Sequence, residues 1–266
     1  MGVFSPIASA KYVEDLKGSS IGGDVIDNIT VIVKPKKGAS VLRFEEFEIQ
    51  SLNVQLQDLM LKNGWDFVPF KMKGQKYNIV KCINTPGTPK SDFSLVDTEG
   101  KEVVWISHKA GSTAKDFQQW GGVSKTQGDV STHKETQDLI HDLNYLLPDK
   151  QLPTGTSVYK LIKDKTLKMM SVYGKDYKPG GVLGRENVTV CCQGNIQIIE
   201  ENGFYTLKAK HTHFNGEPLT GPYEPVFMVT YRGDRSSFGV KNARISISPI
   251  GGRKAKNIMD LIQGKK

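Results

Sequence analysis

PKSDFSLVDTEGKEVVWISHKAG, residues 89–111, is the stretch on which the fold turns. Two short runs rich in β-branched and aromatic residues, Asp92 to Val96 and Glu102 to His108, flank a polar DTEGK turn, and this pattern predicts a β-hairpin. The second arm ends on Ser107-His108-Lys109, an unusual finish for a strand whose preceding residues are mostly apolar. Alternation puts Trp105, Ser107 and Lys109 on one face and Val104, Ile106 and His108 on the other. Ser107 and Lys109 then stand roughly 6 to 7 Å apart along the strand. In the facing arm Asp92, Ser94 and Val96 share a face. If the hairpin sets Asp92 beside Ser107 and Lys109, a carboxylate, a hydroxyl and an ammonium meet at one end of a sheet.

Upstream of this hairpin, Asp24 to Val33 reads as a strand, and Val41 to Ile49 fits either a strand or a short helix. Leu52, Leu56, Leu59 and Met60 have helical spacing, with Ser51 as N-cap and Asn63-Gly64 as the stop. Trp65 to Lys73 and Gln75 to Ile83 read as two strands about a Lys73-Gly74 turn. Downstream, TAKDFQQWGG starts a helix that Gly121-Gly122 ends, and a second helix runs from Lys134 to Leu146. PDKQLPTG, residues 148–155, has linker composition. Beyond it Asn187 to Gln193, Asn195 to Glu200, Phe204 to His211 and Pro225 to Tyr231 favour strands. Residues 1–150 therefore read as an α/β core and 151–266 as a β-rich part, separate or continuous with it.

Charge follows the same division. The net charge of +8 comes from 18 Lys and Arg against 19 Asp and Glu in residues 1–152, and 18 against 9 in residues 153–266. A basic surface attracts polyanions by Coulomb forces and counterion release, so nucleic acid is the leading partner class. Lys90, Arg232, Arg235, Lys241, Arg244, Arg253 and Lys254 are the candidate contacts. With 38% hydrophobic and 24% charged residues the chain reads as globular. No apolar run approaches the about 18 residues of a membrane span. The N-terminal MGVFSPIASAKYVEDL lacks the basic flank and long apolar stretch of a secretory signal, which makes an intracellular setting the expectation. Cys82, Cys191 and Cys192 offer neither a disulfide framework nor a CxxC spacing, and the adjacent pair reads as one core and one surface thiol.

The grouping of Asp92, Ser107 and Lys109 has a chemistry. A carboxylate holds a hard cation such as Mg²⁺, which also binds phosphate oxygens, and a nearby lysine orients water and offsets phosphate charge. An Asp, a β-turn, an acid-x-Lys strand ending and a following helix resemble the PD-(D/E)xK, or restriction-endonuclease-like, nuclease superfamily. PKSD at 89–92 is similar to the first half of that signature and ISHK at 106–109 to the second. The longer GTPKSDFSLVDTEGKEVVWISHKAGSTAKDFQQWGG also resembles uncharacterised bacteriophage-encoded proteins.

The resemblance implies an α/β (α+β) fold, a restriction-endonuclease-like mixed sheet flanked by helices, with a β-rich basic C-terminal part. It implies a Mg²⁺- or Mn²⁺-dependent endodeoxyribonuclease acting on DNA, homodimeric where both strands are cut, and working in the cytoplasm, that of the host if phage-encoded. Asp92 takes the part of metal ligand and Lys109 that of catalytic lysine. Ser107 stands where an acid is usual, so a further oxygen must come from elsewhere, such as the main chain of His108. The superfamily's acid on the preceding helix corresponds to Asp58, with Glu45, Glu46 or Glu48 as other choices. Gln118 or Gln119 resembles the polar residue that reaches back from the following helix. Against this stands a nucleic-acid-binding or virion-associated protein that keeps the fold without catalysis, a reading that the missing acid at position 107 favours.

Overall fold

Val41–Asn63 forms one helix of 23 residues, α1, in which Glu45, Glu48, Leu52 and Leu56 follow one another at helical spacing along a single stripe. Phe47, Leu52 and Leu56 bury into the core. The segment 41–49, open between strand and helix in the sequence, is thus the first third of this helix. It ends where expected. Gly64 adopts φ 66°, Trp65 N–H reaches back to the Met60 carbonyl, and Gly64 N–H to that of Leu61.

The computed structural model describes residues 12–13, 32–33, 41–117, 119–123, 128–147 and 149–259. Of the strand expected over Asp24 to Val33, only Ile32–Val33 lie among these, as β2, pairing parallel with β1 (Tyr12–Val13). Two compact units emerge, one of Met1–Ala110 with Cys192–Thr212 and one of Gly111–Cys191 with His213–Lys266. The division expected near residue 150 falls inside the second unit. The charge asymmetry survives the change of boundary, with 16 Lys and Arg against 15 Asp and Glu in the first unit and 20 against 13 in the second.

In the first unit α1 is followed by β3 (Val68–Met72), β4 (Gln75–Asn84), β5 (Phe93–Asp97) and β6 (Glu102–Lys109), an antiparallel meander. β10 (Gln197–Glu201) and β11 (Phe204–Lys208) form a hairpin, and β11 joins β3 in parallel. With β9 (Val190–Gln193) and β12 (His211–Phe214) these strands make a mixed sheet in the order β10-β11-β3-β4-β5-β6-β9-β12. β3 pairs with β4 only as far as Ile79, which leaves the edge of β4 open beyond that point. The Asn53 side chain of α1 closes it at Cys82, donating to the carbonyl at 2.9 Å and accepting from the N–H at 2.8 Å. Two main-chain groups that would otherwise be left unpaired are thereby satisfied, and the helix is held to the sheet.

The second unit carries β7 (Gly121–Gly122), α2 (Gly128–Thr132), α3 (Lys134–Leu146), β8 (Ser157–Leu161), α4 (Lys165–Tyr173), β13 (Pro225–Ser237), β14 (Val240–Pro249) and β15 (Lys256–Asn257), its sheet running β15-β8-β13-β14-β7. α3 has the expected bounds, and α4 starts at Asp164, whose carboxylate accepts the Leu167 N–H. β14 went unread because its basic residues obscure the alternation of a strand whose Ile245, Ser246, Ile247, Ser248 and Pro249 are all buried. β13 and β14 meet in a two-residue turn, Phe238-Gly239, with φ 52° and 85°, the conformation that hairpins favour.

Two expectations need correction. The helix expected at TAKDFQQWGG stops after one turn: Asp116 Oδ2 accepts from Ser112 and Thr113, and Phe117 N–H reaches Ala114. The chain then extends, Trp120 donating its N–H to Ile247 and Gly121–Gly122 pairing with β14, so sheet pairing overrides helical spacing. Cys191 and Cys192 are both buried, rather than one in the core and one at the surface, because β9 lies within the sheet between β6 and β12 and all four of its residues are covered.

Candidate active site

β5 and β6 pair from Phe93 and Ile106 down to their turn, but β6 runs on to Lys109 past the end of its partner. Asp92 stands at that end. Its own N–H donates to the Ile106 carbonyl at 2.8 Å, and its carboxylate takes the place of a ladder acceptor, receiving the His108 N–H on Oδ2 at 2.5 Å. Ser107 Oγ donates to the same oxygen at 3.3 Å, and Lys109 Nζ lies 3.6 Å from it. The structure therefore brings Asp92, Ser107 and Lys109 together on one face at the strand end. Ser107 is fully buried, whereas Lys109 and Asp92 keep 26% and 20% of their side-chain surface. The hydroxyl positions the carboxylate, and the charged pair is what solvent can reach.

Glu45 of α1 is coupled electrostatically to this pair. Burial, together with the Asp92 carboxylate, raises the Glu45 carboxyl from its ordinary 4.5 to about 7, Lys109 opposing and Glu46 adding to the shift. Asp92 is thus close enough to act on Glu45, and Lys109 acts on it in the opposite sense. Of the other acids on α1, Glu48 is buried and accepts the Ile196 N–H at 3.0 Å, and Glu46 is exposed. Asp58 is exposed and thirteen residues further along α1, roughly 20 Å at a rise of about 1.5 Å per residue, so it does not join Glu45 at this end. The sequence marks Glu45 and Glu48 alike as charges on the apolar stripe of α1, at a spacing legible once 41–63 is read as a single helix.

The His108 ring lies on the opposite face, as alternation requires. It packs against Phe93 with centroids 5.8 Å apart, and Nε2 lies 3.0 Å from the Gly194 carbonyl. Burial pushes its pKa down to about 4, against the raising effects of Gly194 and Asp92, so the ring is neutral near pH 7 and Nε2–H is the donor. Only main-chain atoms of His108 face the Asp92 side. Among the described residues no three His, Cys, Asp or Glu side chains converge as a metal cluster.

The remaining expected residues are dispersed. Gln118 lies outside the described residues. Gln119, in the second unit, accepts a hydrogen bond from Arg244 Nη2 through its amide oxygen. Arg232, Arg235 and Arg253 are exposed and act electrostatically on Arg244. Lys241 and Lys254 are exposed in the same unit, and Lys90 is partly buried in the first.

The chain is similar to the type II restriction enzyme CviJI of Paramecium bursaria Chlorella virus IL3A, with 35% identity over 159 residues, covering 57% of this chain and 42% of that enzyme. The match thus spans less than half the length of the relative. No family model matches the chain, and no solved structure matches it. Among the described residues no helix is long and apolar enough to cross a membrane.

Proposed function

We propose that the chain is a Mg²⁺- or Mn²⁺-dependent endodeoxyribonuclease of the restriction-endonuclease-like, PD-(D/E)xK type, with Glu45, Asp92 and Lys109 as its reactive centre. The observation that carries this reading is the meeting of Asp92 and Lys109 at the end of β6, both of which act electrostatically on Glu45 of α1. The donor set fits a hard divalent cation: two carboxylates repel one another, one of them raised towards neutrality, and a dication relieves that repulsion. Asp92, Glu45 and the main-chain oxygen of His108 would hold it. Bound there, the cation would neutralise the charge of the phosphodiester and polarise it for attack.

The chain's own groups account for the rest. Lys109 Nζ, a donor within reach of solvent, holds a non-bridging phosphate oxygen or the attacking water in place. Ser107 and the His108 N–H keep Asp92 turned towards that space by sharing its Oδ2. Water gives up a proton to solvent as its oxygen bonds phosphorus and the bond to the leaving sugar oxygen breaks, and that oxygen takes up a proton from solvent. Similarity to a type II restriction enzyme supports DNA as the substrate. With one centre per chain, cutting both strands calls for a homodimer, working in the cytoplasm of the cell that makes it or, if the gene is viral, of its host.

Supercoiled plasmid incubated with Mg²⁺ or Mn²⁺ tests the reading: nicked or linear product is expected from the wild type and none from Asp92→Ala or Lys109→Ala. One observation favours a second reading, a binding or virion-associated protein without catalysis. Ser107 occupies the place of the second acid and is buried against Asp92. Intact plasmid, single-stranded DNA and RNA under every metal tried would establish that reading instead.

A further inference from the structure

The β13–β14 ribbon has an interruption. Tyr231 pairs with Ala243 and Ser236 with Lys241, so Arg232-Gly233-Asp234-Arg235 on β13 stands opposite Asn242 alone. Four residues against one push a basic loop out of the ladder, and all four are exposed. Asn242 takes φ 57° to absorb the mismatch. Directly below, Arg244 pairs with Thr230, half-buried, with one guanidinium nitrogen fixed by the Gln119 amide oxygen. Arg253 follows the 3₁₀ turn Ile250–Gly252 that ends β14.

These four guanidiniums form one electrostatic group. Burial lowers the pKa of Arg244, and Arg235, Arg232 and Arg253 lower it further. Elsewhere in the same unit, partly buried cations have carboxylates: Lys160 lies 2.7 Å from Asp142 and Lys168 2.6 Å from Glu224. Among the described residues none of the four arginines has a carboxylate within ion-pair distance, although Asp234 sits between two of them in sequence. The fold has thus collected four like charges and anchored one of them on a neutral amide, with no carboxylate among the described residues paired to any of them. Guanidinium forks match phosphate oxygens two at a time, and a two-stranded ribbon fits the width of a DNA groove.

We propose that Arg244, buttressed by Gln119 and flanked by Arg232, Arg235 and Arg253, is a phosphate clamp that grips the backbone of duplex DNA, with the 232–235 bulge as its outer jaw. The clamp rests on the nucleic-acid part of the function proposed above and not on the cleavage chemistry. Gln119 is a positioning residue: it sets the direction of the Arg244 fork and need not touch DNA.

Fluorescence anisotropy of a labelled 20-base-pair duplex, in EDTA and across a salt series, tests it on the full chain. In Arg232→Gln/Arg235→Gln, whose changes are confined to exposed side chains, affinity is expected to fall at least about tenfold. The slope of log K against log salt is expected to lose roughly one to two units, as when phosphate contacts are removed. Arg244→Gln is expected to lose at least as much, and Gln119→Leu about threefold with its salt slope kept, because the fork is misdirected and the charge remains. An unchanged slope in the double variant overturns the clamp. So does binding of inorganic phosphate that the arginine changes abolish while duplex affinity stays as in the wild type. If no metal yields cleavage but the double variant still binds weakly, the clamp stands and the nuclease reading fails; if cleavage occurs and duplex affinity is indifferent to the arginines, the reverse holds.

Discussion

In the first unit Lys109 has a carboxylate 3.6 Å away, and Asp92 in turn is held by a buried hydroxyl and a main-chain N–H. Among the described residues of the second unit, Arg244 has the Gln119 amide and three neighbouring arginines that repel it. The first arrangement is balanced among its own groups except for Glu45, the extra acid; the second is unbalanced throughout. A site that must do chemistry needs its groups fixed before the substrate arrives, since misplaced groups forfeit the benefit of orientation. A site that must grip a polyanion gains from charge that only the ligand neutralises. The two poles of the proposed function thus show opposite electrostatic designs, an acid excess in one and a cation excess in the other.

The contrast breaks most plainly at Lys109 and Asp92. Replacing either by Ala is expected to lower the rate of plasmid cleavage by about 10³-fold or more, with duplex binding in EDTA retained, as gel assays and anisotropy would show together. Loss of binding in both variants would mean that the acid–lysine group is part of the grip, and the division of labour would be lost.

His108 tests the rigidity of the first pole. Its ring fills the space against Phe93 and bonds Gly194, so His108→Ala is expected to cost about 2 kcal/mol in urea unfolding. The sign of the pH effect follows from the direction of the shift. The ring titrates at about 4 when folded, below its ordinary 6.5, so its stabilising contribution is present above pH 6.5 and is lost as pH falls towards 4. Wild type is expected to lose stability over that window, and the variant to lose less. Parallel curves for the two proteins would place the titration elsewhere.

Glu45 gives the smallest effect on stability and the sharpest on the comparison. Its carboxyl titrates at about 7 in the fold against 4.5 ordinarily, so its contribution is fully present below pH 4.5 and lost as pH rises through 7. Glu45→Gln is expected to stabilise the protein at pH 8 by about 1 kcal/mol, the half-exposed carboxylate being partly screened by water, and to leave stability at pH 4 unchanged. The same variant is expected to lose cleavage by about 10²-fold. Greater stability with lost activity is the mark of an acid kept for chemistry. Equal cleavage at every pH would remove Glu45 from the centre and leave Asp92 with Lys109 alone.

Much of the site was legible because it is local. The hairpin, its alternation and the shared face of Ser107 and Lys109 follow from the order of residues 92–109, since turn chemistry and a period of two act over a few positions. Lys134–Leu146 was legible for the same reason, its helical period uninterrupted. Glu45 was not separable from Glu46 and Glu48, because the choice depends on which side of α1 meets the sheet, and that is decided by partners far along the chain: Cys82 at Asn53 and Ile196 at Glu48. The one-turn stop at Phe117 shows the same limit, its extended continuation being drawn by Ile247 of β14.

The hairpin, the position of Lys109 at its end, the basic surplus and the residue types available for phosphate chemistry can all be read from the order of residues. These depend on bonded neighbours and composition. It takes the folded chain to bring Asp92 to bear on Glu45, to seal Ser107 against Asp92, to return residues 192–212 to the first unit, and to set Arg232, Arg235 and Arg253 acting on Arg244. Such pairings join residues far apart in the chain. Their energies come from burial and from charges brought close in space, and neither exists until the chain has folded.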